Sequence, residues 1–361
     1  MTTRLFLRPT AFVDSPFGHD GKVARLAGGM NWFAAVEAIG WDGSRRTSTE
    51  LVSVERIFET IDTMPPVAQQ AWKNLTSARA PLNMGERMIR LDQPQIMGIV
   101  NVTPDSFSDG GLYSDAEDAA SAGARMAAQG AAIIDVGGES TRPGAKPVWE
   151  GDEMERVVPV VRQLAGSGTA VSIDTRKSAV MREAVSAGAR MINDVSALTF
   201  DPEAPQCAAS LAQPLVLMHH KGSPETMQQD PRYDDVLLEV YLWLEERIAA
   251  AEAAGVERGR ILIDPGFGFG KNVGHNLELM NGLAMLHGLG CPIVLGASRK
   301  RTIGALSGEA PADQRLGGSI ALAFKAAEQG AQIIRVHDVP ETVQALKVWR
   351  GLRDQALTPR I

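Results

Sequence analysis

The chain has 361 residues, 44% hydrophobic and 22% charged, with 36 Lys and Arg against 43 Asp and Glu for a net charge of −7. That length suggests two domains or one large one, with enough chain to bury a core without covalent staples. The near-average composition excludes disordered, collagenous and coiled-coil chains. The acidic balance argues against a protein whose main partner is a nucleic-acid backbone or an anionic membrane surface.

Two cysteines, Cys207 and Cys291, are too few for a disulfide framework and lie in no metal-like spacing. They read as buried free thiols of a reducing compartment. The amino terminus, MTTRLFLRPTAFVD, lacks the apolar run of a signal peptide. No stretch is long and apolar enough for a membrane helix. A soluble, cytoplasmic protein is expected.

Residues 1–95 hold Trp32, Trp41 and Trp72, an amphipathic stretch around residues 51–61 and a Pro65-Pro66 break. "LNMGERMIRLDQP" (82–94) reads as a hairpin. The segment is expected to be a small α+β extension; its role is not legible.

From residue 96 a regular rhythm begins. Short apolar runs rich in Ile and Val fall at 96–100, 132–136, 170–173, 190–192, 215–218, 261–263, 293–295 and 332–336. Such runs fit strands buried on both faces of a parallel sheet. Helical patterns fall between them at 116–129, 149–164, 178–187, 234–254, 276–289 and 317–329. Ser114 ahead of Glu117 reads as a capping box at the first of these. The phrases "AQGAAII", "SAGARMI" and "EQGAQII" each place a Gly between a helix and a strand, the expected helix stop. Eight strands alternating with helices over residues 96–361 match the size of a (β/α)8 barrel, typically about 250 residues. An open doubly wound sheet is the competing topology.

In a parallel barrel the C-terminal strand ends converge on one mouth. Those positions hold Asn101, Asp105 and Asp109, then Asp135, Glu139, Thr141 and Arg142, then Asp174, Asn193, Asp194, His219 and Asp264. The last two strands deliver Ser298, Arg299 and Lys300, and Arg335 and His337. A purely structural barrel would need few of these, because each desolvated charge is costly without a partner. Asp174, Asn193 and Asp264 can read the N–H edge of a small heterocycle. Arg142, Arg299, Lys300, Arg335 and His337 can hold an anion. Blander readings compete: Asp105 as a turn residue, Asp174 as a helix cap, Asp194 as a strand-end brace, the His219-His220 pair as loop histidines. The Gly-rich run "DPGFGFGKN" (264–272) is neither a dinucleotide fingerprint, whose third Gly would fall on Lys271, nor a P-loop.

Eight blocks in order resemble dihydropteroate synthase: "IMGIVNVTPDSFSDGG" (96–111), "IIDVGGESTRPGA" (133–145), "SIDTRKS" (172–178), "INDVSAL" (192–198), "LMHHKGSP" (217–224), "ILIDPGFGFGK" (261–271), "GASRKRTIG" (296–304) and "IIRVHDV" (333–339). The resemblance covers about 96–350. It implies a (β/α)8 barrel that condenses 6-hydroxymethyl-7,8-dihydropterin diphosphate with p-aminobenzoate, releasing pyrophosphate. Carried over by position, Asp174, Asn193, Asp264, Lys300 and Arg335 would bind the pterin. Asn101, Arg142, Arg335 and His337 would hold the diphosphate, with Asn101 also a Mg2+ ligand. Phe107, Thr141, Pro143, Phe269 and Ser298 would form the p-aminobenzoate site. Asp105 and Asp109, on a first mobile loop, would join Asp174 and Lys300 in catalysis through a pterin cation. A homodimer is implied.

Two features depart from the family. "LMHHKGSP" differs from the commoner Met-His-Met-Gln type, and the segment before Ile96 is far longer than usual. Rival readings are a corrinoid-dependent pterin-binding methyltransferase and a catalytically silent pterin-binding paralogue. The Ser298-Arg299-Lys300 and Arg335-Val336-His337 sets, and the lack of a D-x-H-x-x-G motif, weigh against the first.

Overall fold

The computed structural model describes residues 4–102, 112–140, 147–222 and 227–358. In the N-terminal segment β1 (Arg4–Val13), β2 (Ala24–Arg25), β3 (Trp32–Trp41) and β4 (Arg46–Ser53) form an antiparallel sheet around β3. β3 pairs β1 along one edge, and β2 and β4 along the other. Ser53 ends β4 and caps α1 (Val54–Thr60), its hydroxyl accepting the Arg56 N–H. The Pro65-Pro66 break starts α2 (Pro66–Thr76), with Pro66 at the first helical position, where a missing N–H costs nothing.

One side of this sheet packs Phe33, Val36 and Leu7 against Val54, Ile57, Trp72 and Leu75. Phe6, Ile39 and Trp41 join the main core instead, with the Phe6 ring edge-on to Tyr241 at 5.2 Å. The hairpin at 82–94 forms from β5 (Leu82–Met84) and β6 (Arg87–Ile89).

Eight parallel strands follow: β7 (Gln95–Asn101), β8 (Ile133–Gly137), β9 (Val171–Asp174), β10 (Met191–Asp194), β11 (Leu215–Met218), β12 (Ile261–Asp264), β13 (Val294–Leu295) and β14 (Ile333–Val336). They pair in sequence order from β7 to β12, and β14 joins β7 to β13. A bridge between Ile263 and Ile293 brings β12 to β13 and nearly closes the ring, so the sheet is a barrel and not an open doubly wound sheet. Between strands run α3 (Leu112–Ala128), α4 (Glu150–Gly166), α5 (Ser178–Ala187), α6 (Ala204–Leu211), α7 (Val236–Ala253), α8 (Val273–Asn281), α9 (Arg301–Leu306) and α10 (Leu316–Glu328), and α11 (Val339–Ala356) follows β14.

Several local expectations shift. α3 begins at Leu112, ahead of Ser114. The pattern at 276–289 is two pieces, α8 and a 3-10 segment Leu283–Leu289, because Asn272 caps α8 earlier and the chain breaks at Gly282. Helices α6, α9 and α11 had no counterpart among the predicted elements. The three helix-to-strand glycines, Gly130, Gly188 and Gly330, all take positive φ, which explains the repeated phrase.

Strand alternation decides what faces the barrel axis. Met97, Ile133, Ala170, Met191, Val216, Leu262, Val294 and Ile333 form one buried cluster, sealed from below by Leu82, Met84 and Ile89 of the hairpin and by Leu91. Two residues further along the same strand faces come Asp135, Ser172, Asn193, Asp264 and Arg335. The bottom of the barrel is an apolar plug and the top is polar.

Candidate active site

Arg335, on β14, organises the floor of this polar mouth. Its Nε donates to Asp135 Oδ2 at 2.6 Å and its Nη2 to Asp174 Oδ2 at 2.7 Å. Asn193 Nδ2 donates to the same Asp135 oxygen at 3.0 Å. Four strands are thereby tied by their C-terminal side chains. Asp135 is fully buried, and its Oδ1 has no hydrogen-bond partner. The sequence signal for Asp135 is its position two residues after Ile133 on the same strand face; its partners carry no such signal.

Burial raises the Asp174 carboxyl to about 7, aided by the neighbouring Asp135 and opposed by the Arg335 charge. Asp174 does not cap α5, whose N-cap is Lys177. Burial likewise raises Asp264, at the end of β12, to about 6. The Gly266 N–H donates to Asp264 Oδ1 at 2.7 Å, opposing that rise. Gly296 allows close approach here, since a Cβ on it would stand 3.7 Å from Arg335 Cδ and 3.9 Å from Asp264 Oδ2. Carboxyls that burial pushes up toward neutral mark a functional site better than exposed ones do.

The Gly-rich loop after β12 carries the next residues. A Cβ at Gly266 would lie 1.7 Å from the His219 carbonyl oxygen, so only glycine fits its positive φ there. Lys271 turns back under the loop, its ammonium donating to the carbonyls of Gly266 at 3.0 Å and Phe269 at 3.1 Å. It also lies 2.8 Å from His219 Nδ1. Burial lowers Lys271 to about 7 and depresses His219 strongly, so His219 is a neutral, buried partner and not a loop histidine. The Lys271 and His219 pairing had no sequence signal beyond the "GK" itself.

Phe269 lies beneath Lys300, whose Nζ is 4.1 Å from the ring centroid. Ser298 Oγ accepts the His337 N–H at 3.2 Å and shares a 3.0 Å hydrogen bond with His337 Nδ1. Burial and the nearby Arg335 and Arg299 charges lower His337 to about 3. Burial thus disfavours the cationic form of His337 that the sequence suggested.

Three other mouth residues turn away. Arg299 pairs with Asp338, and Asp194 accepts from the Ser196 N–H and hydroxyl and from the Leu198 N–H as a buried brace. Glu139 pairs with Arg176 and Lys177. Asn101, half-buried, ends β7 on the same rim. Asp105, Phe107, Asp109, Thr141, Arg142 and Pro143 lie outside the described residues.

The mouth thus offers the acidic and amide groups Asp135, Asp174, Asn193 and Asp264, with Lys300 over the Phe269 ring and the Ser298–His337 pair. A family model described as pterin binding enzyme matches residues 97–337. The dihydropteroate synthase of Escherichia coli K12 is 50% identical over 259 residues, which are 72% of this chain and 91% of the relative. The structure of Xanthomonas albilineans dihydropteroate synthase with 4-aminobenzoic acid superposes with a TM-score of 0.73 at 49% identity, covering 78% of this chain and all of that one. The same enzyme in complex with 7,8-dihydropteroate gives 0.70 at 47% identity, covering 77% and 100%. With the barrel, its polar mouth and these likenesses agreeing, the chain belongs to the dihydropteroate synthase family.

Proposed function

We propose that the barrel mouth condenses 6-hydroxymethyl-7,8-dihydropterin diphosphate with p-aminobenzoate, giving 7,8-dihydropteroate and pyrophosphate in folate biosynthesis. The observation that carries this is the Arg335 guanidinium joined to Asp135 and Asp174 on the barrel axis, with Asp264 and Asn193 beside it.

Asp264 accepts the paired N–H donors of the pterin, and Asn193 and Asp174 complete the edge. Lys300 serves the ring's acceptor atoms, and Arg335 lies against the ring face. The C–O bond from the pterin methylene to the diphosphate breaks, leaving a resonance-stabilised cation. Asp174 stabilises that positive charge as an ionised carboxylate in a water-poor site. The p-aminobenzoate nitrogen, held between Phe269, Lys300 and Ser298, attacks the methylene carbon and afterwards loses its proton. No covalent enzyme intermediate is needed.

Asn101, Arg142, Arg335 and His337 are assigned to the diphosphate, and Asp105, Phe107, Asp109, Thr141 and Pro143 to loops closing over the substrates. Among the described residues no group of three or more His, Cys, Asp and Glu side chains can hold a metal. That fits Mg2+ carried in with the diphosphate, since Mg2+ commonly keeps waters and substrate phosphates with few protein ligands. Asn101 would supply the protein oxygen, and the ion would neutralise charge on the departing pyrophosphate. We further propose a cytoplasmic homodimer; no helix among the described residues is long and apolar enough to cross a membrane.

The test is chromatographic detection of dihydropteroate after both substrates and Mg2+ are mixed with the protein. Product must require both substrates. Folded protein that forms none refutes the proposal.

A further inference from the structure

The N-terminal sheet lies beside the barrel, and the matching family model begins only at residue 97. The N-terminal segment meets the barrel at several places: Asn74 Nδ2 donates to the Gly288 carbonyl and Asn31 Nδ2 to the Ala327 carbonyl, both at 2.7 Å, and two arginines reach the α7 and α8 side. Arg4 makes a two-pronged ion pair with Glu245 on α7, at 2.6 and 2.7 Å. Arg46, the first residue of β4, pairs with Asp235 through both carboxylate oxygens, Nη2 donating to Oδ1 at 3.2 Å. Arg46 Nη2 is also 3.8 Å from Glu278 of α8.

Asp235 is a restrained residue. It is 8% exposed and caps α7, its Oδ1 accepting the Leu238 N–H at 3.0 Å. A buried carboxylate needs a partner, and the extension supplies the cation. Asp235 ends the loop that leaves β11, and the same loop grips the Gly-rich loop from outside. Gln228 Nε2 donates to the Gly268 carbonyl at 2.5 Å, and the Tyr233 hydroxyl donates to the Gly270 carbonyl at 2.9 Å. These two carbonyls flank Phe269, the aromatic wall under Lys300. The pterin contacts Asp174, Asn193 and Arg335 sit on strands and are tied together through Asp135, apart from this loop; of the other two, Asp264 is held by its own strand and Lys300 rests on Phe269.

We propose that Arg46 is a positioning residue, and that the N-terminal sheet acts as an external buttress setting the p-aminobenzoate half of the site. The chain of contacts runs from Arg46 to Asp235, through Gln228 and Tyr233, to the backbone around Phe269. The outer end is an ion pair and the inner end two hydrogen bonds, joined by the backbone of residues 228–235, so both ends can be tested pair by pair. The inference rests on the synthase reading and adds to it a part of the chain to which that reading gives no task.

The experiment is steady-state kinetics on full-length protein with each substrate varied in turn, alongside thermal unfolding. Arg46→Ala raises KM for p-aminobenzoate by about 5- to 20-fold while KM for the pterin diphosphate stays within about two-fold, as expected for misplacement of one wall. Arg46→Lys recovers part of the loss. Asp235→Asn, which keeps an oxygen for the Leu238 N–H, shifts p-aminobenzoate KM the same way. The double variant is no worse than the poorer single one. If Arg46→Ala is too unstable to assay, Asp235→Asn and Arg46→Lys decide the matter. Lowered melting temperature with both KM values unchanged, or a parallel rise in both, overturns the inference while leaving the synthase reading standing. An inactive wild type overturns both.

Discussion

Replacing Asp264 by Asn separates function from stability in a direction opposite to most core substitutions. Asp264 is buried, and its carboxyl is raised from 3.8 to about 6 chiefly by burial. A carboxyl with a folded-state pKa above its unfolded value is stabilising only while protonated. Stability falls as pH climbs from about 4 through about 6, and the ionised group costs about 3 kcal/mol at neutral pH. Asn removes that charge, and its carbonyl oxygen can still accept the Gly266 N–H. The pterin edge loses its acceptor and meets an NH2 donor instead. Two charge-assisted hydrogen bonds of about 1.5–3 kcal/mol each are lost, which corresponds to at least about 100-fold in kcat/KM for the pterin diphosphate. We expect Asp264→Asn to melt no lower than wild type at pH 7.5, with its largest advantage above pH 6. Calorimetric melting from pH 5 to 8, with pterin-dependent kinetics, checks both halves. Near-wild-type turnover, or a clear loss of stability at pH 7.5, refutes the reasoning.

Other outcomes follow from the same geometry. Asp135→Asn removes the charge shared by Arg335 and Asn193 and is expected to cut kcat by about 10-fold or more, with p-aminobenzoate KM little changed, in steady-state assays. Lys300→Met retains bulk over Phe269 but removes the ammonium; turnover is expected to fall by about 100-fold or more while the circular dichroism spectrum is unchanged. His337, lowered to about 3 chiefly by burial, is expected to take up a proton when pyrophosphate binds near pH 6. Titration calorimetry in buffers of different ionisation enthalpy reads this uptake, and His337→Asn abolishes it. Lys271→Met leaves the Gly266 and Phe269 carbonyls without their buried donor. It is expected to cost about 2 kcal/mol or more in denaturant unfolding.

The barrel was legible because its strands are short Ile- and Val-rich runs that end in polar residues, and because a period of two puts those residues on one mouth. Asp174, Asn193, Asp264 and Arg335 could be placed on that basis alone. Their partners could not: Arg335 and Asp135 are 200 positions apart, and no local pattern ties a late arginine to an early aspartate. His337 misled because its type suggests a cation, whereas burial beside Arg335 disfavours that form. The helix patterns failed at the short Arg301–Leu306 and at the break at Gly282, and they also missed α11, which is 18 residues long. In the extension, Arg4 and Arg46 look like ordinary surface charges; only tertiary structure shows that they reach Glu245 and Asp235.

The central claim is that one mouth joins a pterin diphosphate to an aryl amine by expelling pyrophosphate. The direct measurement is the stoichiometry of a single turnover, with enzyme in excess over the pterin diphosphate and pyrophosphate and dihydropteroate quantified together. One pyrophosphate appearing for each dihydropteroate, at a common rate and only slowly with Asp264→Asn, is the predicted result. Neither product forming with folded wild-type protein, or pyrophosphate appearing at an unchanged rate in Asp264→Asn, contradicts it.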